Sequence, residues 1–509
     1  MLAGISIGMS MGHSAVLLPE LQSPNSTLPI DEDMGSWIAS VYAVAGPAGS
    51  LMGGLAIESW GRRFISFWAS SGMVVGWALI CIAQNVSTLI VGRITEGFSR
   101  SMLCTSLTIL IDELSDPKYR GFTVSFVMTL VSFGVMFIMS LGALLEWRTA
   151  SAIAGLITCT SIIPLLFLRE SPSWQVRKNR LNDAAQGLRW LWGPGQEEQA
   201  ETDVNNLINR YHKQSQTGSQ KERKLVDKVV GMFKYFSQAH TIKPFLIIHV
   251  FNTIQAVCGL HVFTYYTIDI LVKMRKNENI EHALNDNAAA VVISIARIIS
   301  NVVATVMLLK VGRRLVALIS GIGSSISALL LSVALLHHGL LFSVEIQYWL
   351  NFALTIGFAA FSTFGFFILP ALMLGETQAA SIRGFVCGYI YTVNDLVLGA
   401  ILKCYPSMVQ NLEIQGLFLL FGAFCLVCTV FVYVFLPETQ GKTLEEIEDY
   451  FKMPNIIFIG IIPYLRNILY IYKYIIGNNR CFYCKDVCES YNQKYFVEII
   501  SYNYIKISV

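Results

Sequence analysis

The chain has 509 residues, a formal net charge of +3, 54 % hydrophobic residues and 14 % charged residues. Charge is low for a soluble protein, and a near-neutral balance gives no reason to expect an acidic partner such as nucleic acid. The cysteines lie mostly one by one in apolar runs, where they read as small buried residues rather than as a disulfide or metal framework.

Met1 opens directly into GISIGMSMGHSAVLLPEL. This start lacks the basic opening and small-residue cleavage site of a signal peptide, so it is read as a first membrane span. Runs of about 20 mostly apolar residues then recur along the chain, each long enough to cross a bilayer as a helix. The predicted spans are 1–19, 35–57, 64–84, 88–111, 121–144, 147–168, 244–271, 287–310, 315–337, 346–374, 384–405 and 415–436. The expected fold is therefore an all-α membrane protein of twelve transmembrane helices in two six-helix halves. The N-terminal half covers 1–168, a polar and partly helical central loop covers 169–243, and the C-terminal half with a following polar segment covers 244–451.

Basic residues in short loops set the orientation. Arg62, Arg63, Lys118, Arg120, the central loop, Arg313 and Arg314 share one side, which is expected to be cytoplasmic. The loop after the first span carries Glu20, Asp31, Glu32 and Asp33 and no Lys or Arg, and it holds Asn25-Ser26-Thr27, a glycosylation sequon on the opposite side. Asn85-Val86-Ser87 is a second sequon, too close to a span end to be occupied. Lys273, Arg275 and Lys276 fall on the predicted outer side and are outvoted by the other loops. Both ends of the membrane body are thus expected in the cytoplasm. Residues 452–509 turn rich in Ile, Tyr, Asn and Lys and read as a divergent tail without an assigned function. The CxxCxxxC of Cys481, Cys484 and Cys488 in that tail lacks a fourth ligand, so no metal site is assigned.

Several marks recur in both halves at similar offsets. Glu113 precedes Arg120-Gly121 at the spacing by which Glu376 precedes Arg383-Gly384. Gly61-Arg62-Arg63 matches Gly312-Arg313-Arg314, and Arg169-Glu170-Ser171-Pro172 echoes Leu436-Pro437-Glu438-Thr439. Two like halves in a membrane are the layout of a transporter with its site between them. Taken in order, GGLAIESWGRR, VGRITEG, ELSDPKYRG, ESPSW, QAVCGLHVFTYY, VGRR, GETQAASIRG and PETQGKTLEEIE make residues 1–451 resemble the major facilitator superfamily. Within it the chain resembles the sugar porter family, in particular insect facilitated trehalose and glucose transporters.

The resemblance implies a cytoplasmic network of acids and bases that pair across helix ends and break as the halves rock. Its members here are Glu58, Arg62, Arg63, Arg93, Glu113, Arg120, Glu170, Arg313, Arg314, Glu376, Arg383 and Glu438. It also implies a sugar site from Gln255, His261, Tyr265, Tyr266, Arg297 and Asn394. Several family amides are replaced: Ala256 stands for the second of two glutamines, His261 for an asparagine, Arg297 for an asparagine and Met128 for a glutamine, while Ala371 stands for a tryptophan. Arg297 and Asp395 are ionisable groups inside apolar spans, which default to functional roles; the options are that they pair with each other, that they line a wet cavity, or that one lies near a span end and snorkels to the interface. His261 and His13 are read as either sugar-facing or structural. The first span has no Asp or Glu, which favours facilitated diffusion over proton symport, with Asp395 and His261 keeping symport open. The expected activity is downhill carriage of trehalose or a hexose across the cell membrane. Neither enzymatic chemistry nor a cofactor is expected, and a non-transporting sugar sensor is the competing class. The sequence leaves the oligomeric state open.

Overall fold

The computed structural model describes residues 2–23, 26–115, 119–193, 195, 198, 201–202, 204–205, 207–209, 239–275, 284–337, 343–378, 382–441, 447 and 451. Asn25, Lys118, Lys276, the tail and its cysteine cluster lie outside them. The chain divides into a body, residues 1–458, and a C-terminal stretch, residues 459–509.

Six helices make up the first half of the body: α1 (Leu2–Leu21), α2 (Glu32–Trp60), α3 (Arg62–Cys81), α4 (Val86–Leu114), α5 (Arg120–Leu144) and α6 (Trp147–Phe167). Local chemistry sets several of their starts. Asp31 caps α2 by accepting from Met34 N at 2.9 Å, and Asn85 caps α4 by accepting from Thr88 N at 2.8 Å. The side chain of that second sequon asparagine is therefore engaged in the fold. Two short helices come next, α7 (Pro172–Arg177) and α8 (Leu181–Trp192), with Ser171 capping α7 and Pro172 at its first turn.

The second half contains α9 (Ala239–Val257), α10 (Leu260–Tyr265), α11 (Thr267–Arg275), α12 (Asp286–Met307), α13 (Arg313–Leu336), α14 (Val344–Ser362), a π-helical turn (Thr363–Phe367), α15 (Leu369–Thr377) and α16 (Arg383–Phe435). No strand occurs among the described residues. Nine of the helical runs there are long and apolar enough to cross a membrane, counting α14 through α15 as one and α16 as one. Helix α4 is not among them, since Arg93, Glu96 and Arg100 interrupt its apolar character.

The second half departs from the predicted spans in three places. The expected single span 244–271 is broken twice, into α9, α10 and α11. At the first break Gly259 has φ +89°, and a Cβ there would sit inside the Phe421 ring, so both backbone and space require glycine. The span 346–374 contains the π turn just before Pro370; Thr363 Oγ1 donates to the carbonyls of Ala359 and Ala360 there. The expected loop between 405 and 415 narrows to a single non-helical residue within that interval, Glu413 with φ +55°, and the residues around it are helical.

Long packed interfaces join the halves. Helix α2 lies along α16, and α5 lies along α12. The second pairing is held by Thr129–Thr305 at 3.1 Å, Ser132–Asn301 at 2.5 Å and Met139–Ser294 at 3.0 Å. The first is a glycine seam: a Cβ on Gly54 would lie 2.7 Å from Gly384 O and 2.9 Å from Gly388 Cα. Small residues of this kind let two helix backbones meet in lipid. Of the eight cysteines among the described residues, Cys258, Cys387, Cys425 and Cys428 are buried as expected, whereas Cys159 and Cys404 are exposed.

Candidate functional site

At the end of the bundle where α2 meets α3, the repeated motifs fold into matched braces. Glu170 accepts from Arg62 N at 2.9 Å and from Arg63 N at 3.1 Å, seating a carboxylate on the first turn of α3. Glu438 does the same for α13, accepting from Arg313 N at 2.9 Å and Arg314 N at 3.2 Å. A Cβ on Gly61 would collide with the Glu170 carboxylate and one on Gly312 with that of Glu438, which explains the repeated glycine. The guanidinium groups repeat as well. Arg62 donates to Glu113 through Nε at 3.0 Å and to Glu58 at 2.8 Å, and Arg313 meets Glu376 at 3.0 Å. Arg63 caps the end of α6 through Leu165 O at 2.8 Å, while Arg314 reaches Tyr433 O.

Each of these braces stays within one half. Among the described residues, the ion pair at this end that crosses joins Arg383 to Asp112, which also meets Arg120 at 2.9 Å. Asp112 directly precedes Glu113 but stands outside the repeated motif, so the repeat does not single it out. Arg177 of α7 adds a further cation near Glu113, at 3.5 Å; burial pulls its guanidinium below the ordinary value while that carboxylate pushes it back up.

Arg93 does not belong to this network. It sits twenty residues before Glu113 on α4, about 30 Å away along a straight helix. There it donates to Glu96 at 2.9 Å and to Ser14 at 2.5 Å, and lies over the Tyr42 ring at 4.4 Å. Further along α4, Arg100 donates to Asp395 at 2.6 Å, and Ser101 donates to the other oxygen of Asp395 at 2.6 Å. Asp395 thus pairs across the halves with Arg100 and not with Arg297, correcting the first of the options for that residue. The sequence signal was present, since three ionisable residues stand in one predicted span, each a functional candidate by default.

The proposed sugar residues fall around the broken helix. Gln255 lies near the end of α9 and His261 near the start of α10, so the break at Gly259 brings them together, Nε2 to Nε2, at 3.5 Å. Asn394 donates to Asn252 O at 3.4 Å, one turn before Gln255, bringing α16 to the same place. His261 also lies within electrostatic reach of Arg100 and Arg297, which brings α4 and α12 to the same place. Tyr265 is buried with its ring against Tyr42 at 5.9 Å. Tyr266 turns elsewhere: it stacks on Tyr405 at 3.9 Å and donates to Leu402 O at 3.0 Å, so its polar atom is engaged by α16. His13 is held within the first half, at 3.0 Å from Ser151 and edge-on to Trp77. At the far end from the braces, Lys403 meets Asp33 at 2.7 Å and Lys273 meets Glu32 at 3.7 Å, again across the halves.

Two repeated halves, braced alike and meeting at a broken helix, invite comparison with known carriers. Residues 8–451 match the family described as sugar (and other) transporter. The chain belongs to that family. It is 26 % identical to the facilitated trehalose transporter Tret1 of Apis mellifera ligustica over 460 residues, covering 89 % of this chain and 87 % of that one. The corresponding transporter of Culex quinquefasciatus is 24 % identical over 448 residues, with 88 % and 83 % covered. Among solved structures, the proton:xylose symporter XylE bound to 6-bromo-6-deoxy-D-glucose superposes with a TM-score of 0.72 at 17 % identity, covering 88 % of this chain and 98 % of that one. The inward open conformation of the xylose transporter XylE from E. coli gives 0.63 at 18 % identity, with 88 % and 97 % covered. The fold is thus the all-helical one of the major facilitator superfamily, and as a family member the chain is a multi-pass membrane protein that transports sugar.

Proposed function

We propose that this carrier moves a sugar of hexose or disaccharide size down its gradient, by rocking its halves about the broken helix at Gly259. The observation that carries this reading is the placement of Gln255 and His261 at a backbone break facing α12 and α16, the kind of midplane site that transporters build from discontinuous helices. Twelve spans are proposed, with the α9–α11 run as the seventh and α16 holding the last two. The boundaries 1–168, 169–243 and 244–451 describe the two halves and the loop between them. The braced end is assigned to the cytoplasm of a cell-membrane carrier, with Asp112–Arg383 closing it and Lys403–Asp33 closing the outer end. Exposed pairs of the latter sort contribute only ~0–1 kcal/mol, which suits a contact that opens in each cycle.

Labelled trehalose, the sugar named for the insect relatives, and glucose, a bromo derivative of which is bound in the XylE structure, are the first substrates to test with cells expressing the chain. Saturable uptake that ignores an imposed proton gradient is expected. Absence of uptake with confirmed surface expression would favour the non-transporting sensor instead. Gln255→Ala is expected to abolish uptake at unchanged surface expression, since it removes a buried amide at the helix break; wild-type uptake by this variant would take Gln255 out of the site.

One observation favours a second reading, proton-coupled symport. Glu96 is fully buried with one carboxylate oxygen on Arg93 and the other without a hydrogen-bond partner, and Ser14 of α1 completes the group. A buried carboxylate is therefore present although α1 itself has none in its apolar stretch. Uptake accelerated by an inward proton gradient, and made indifferent to it by Glu96→Gln, would establish symport.

A further inference from the structure

The described bundle interior around the helix break holds three arginines, and two have their own carboxylates. Arg93 is matched by Glu96, and Arg100 by Asp395, with distances of 2.9 Å and 2.6 Å. Arg297 is 2 % exposed, and among the described residues it makes no ion pair and no hydrogen bond; its Nε is unpartnered. That interior thus carries one uncompensated positive charge.

This charge is held in place by its helix. On the same face of α12, Ser294, Asn301 and Thr305 are tied to α5, three residues before Arg297 and four and eight after it. The helix cannot rotate to carry Arg297 out to a lipid headgroup without breaking those contacts. An isolated arginine deep in a membrane protein costs several kcal/mol and persists where it meets a counter-charge or a wet path. Nearby, His261 Nδ1 and Asn301 Oδ1 are also buried without partners. One cation beside unused donors and acceptors matches one anionic group on a polyhydroxylated ligand. A planar guanidinium suits a carboxylate in particular, through paired N–H donors.

We propose that the ligand of this site is a sugar acid of hexose size, a uronate or an aldonate, whose carboxylate is seated on Arg297. This rests on the sugar-carrier reading and narrows it. A monoanion balances the single charge, whereas a doubly charged phosphate would leave an excess negative charge in the interior.

The test uses the purified full-length chain, with thermal stabilisation by D-glucuronate, D-gluconate, D-glucose, trehalose and acetate as the readout. Either sugar acid is expected to stabilise the protein at concentrations roughly tenfold or more below those needed for a neutral sugar, as a charge-assisted contact implies. Arg297→Gln should remove that advantage, and Arg297→Lys should keep part of it. The unliganded Arg297→Gln protein should melt no lower than the parent, because the substitution removes an unpaired buried charge, so lost binding would not reflect lost folding. Equal stabilisation by glucose and glucuronate in parent and variant would overturn the inference and leave sugar carriage intact. Stabilisation by acetate to the same degree would overturn it in favour of simple anion binding. No stabilisation by any of the sugars or acids, with no uptake of them in vesicles, would overturn the sugar reading and this inference with it.

Discussion

Asp395→Asn should be the most damaging single substitution in the membrane body. Asp395 is 3 % exposed and accepts from Arg100 and Ser101 together, where an ion pair in the described interior links α4 to α16. Removing one partner of a buried pair leaves the other charge stranded and typically costs about 3–5 kcal/mol. A steep fall in melting temperature and loss of uptake are expected. The diagnostic measurement is the double variant Arg100→Gln with Asp395→Asn, in which neither charge is left alone. It should regain most of the lost stability while uptake stays impaired. If the double variant melts as low as the single one, the two residues are not energetically coupled and the pair is not what holds the halves at this depth.

Gly54→Val is expected to act in a different way, by wedging the halves apart. Its first side-chain carbon would meet Gly384 O and Gly388 Cα, which are backbone atoms and cannot swing aside. Overpacking costs about 1–3 kcal/mol, and here that cost falls on the state in which α2 and α16 touch at the braced end. A bias of that size shifts the balance of states by roughly 5–150-fold. Uptake should fall accordingly while the protein stays folded. Cys387, fully buried one residue before Gly388, reports the change directly: its alkylation, followed by mass spectrometry, should speed up in the variant. Wild-type uptake together with an unchanged, slow reaction at Cys387 would show that the seam does not need to close.

Parts of this architecture were legible in the sequence because they are local. Arg62, Glu170, Arg313 and Glu438 stand in short motifs that occur twice, and a repeated motif at a helix end points to one repeated job. The predicted spans were also largely legible, since a 20-residue apolar run is a strong signal. The hidden features depend on distance along the chain. The partner of Asp395 lies 295 residues away, and no local pattern selects Arg100 over Arg297. As a basic residue in a motif Arg93 reads like a member of the braces, yet the helix puts it several turns from them. The break of the seventh span turns on Gly259, and a lone glycine in an apolar run is a weak mark until Phe421 is seen against it.

The glycine seam has a mechanical meaning beyond close packing. Surfaces that interlock through long side chains must find new rotamers each time they part, and re-ordering those chains has an entropic cost. Along α2 and α16 the facing atoms around Gly54, Gly384 and Gly388 are mostly backbone, already fixed by the helices themselves. Few side chains would have to withdraw for the halves to part there, the Ser50–Thr392 hydroxyl contact at 2.9 Å being one, and the backbones would meet again in one register. In the proposed cycle the seam would act as a smooth bearing, with the resistance to each stroke concentrated in the few polar and charged contacts along it.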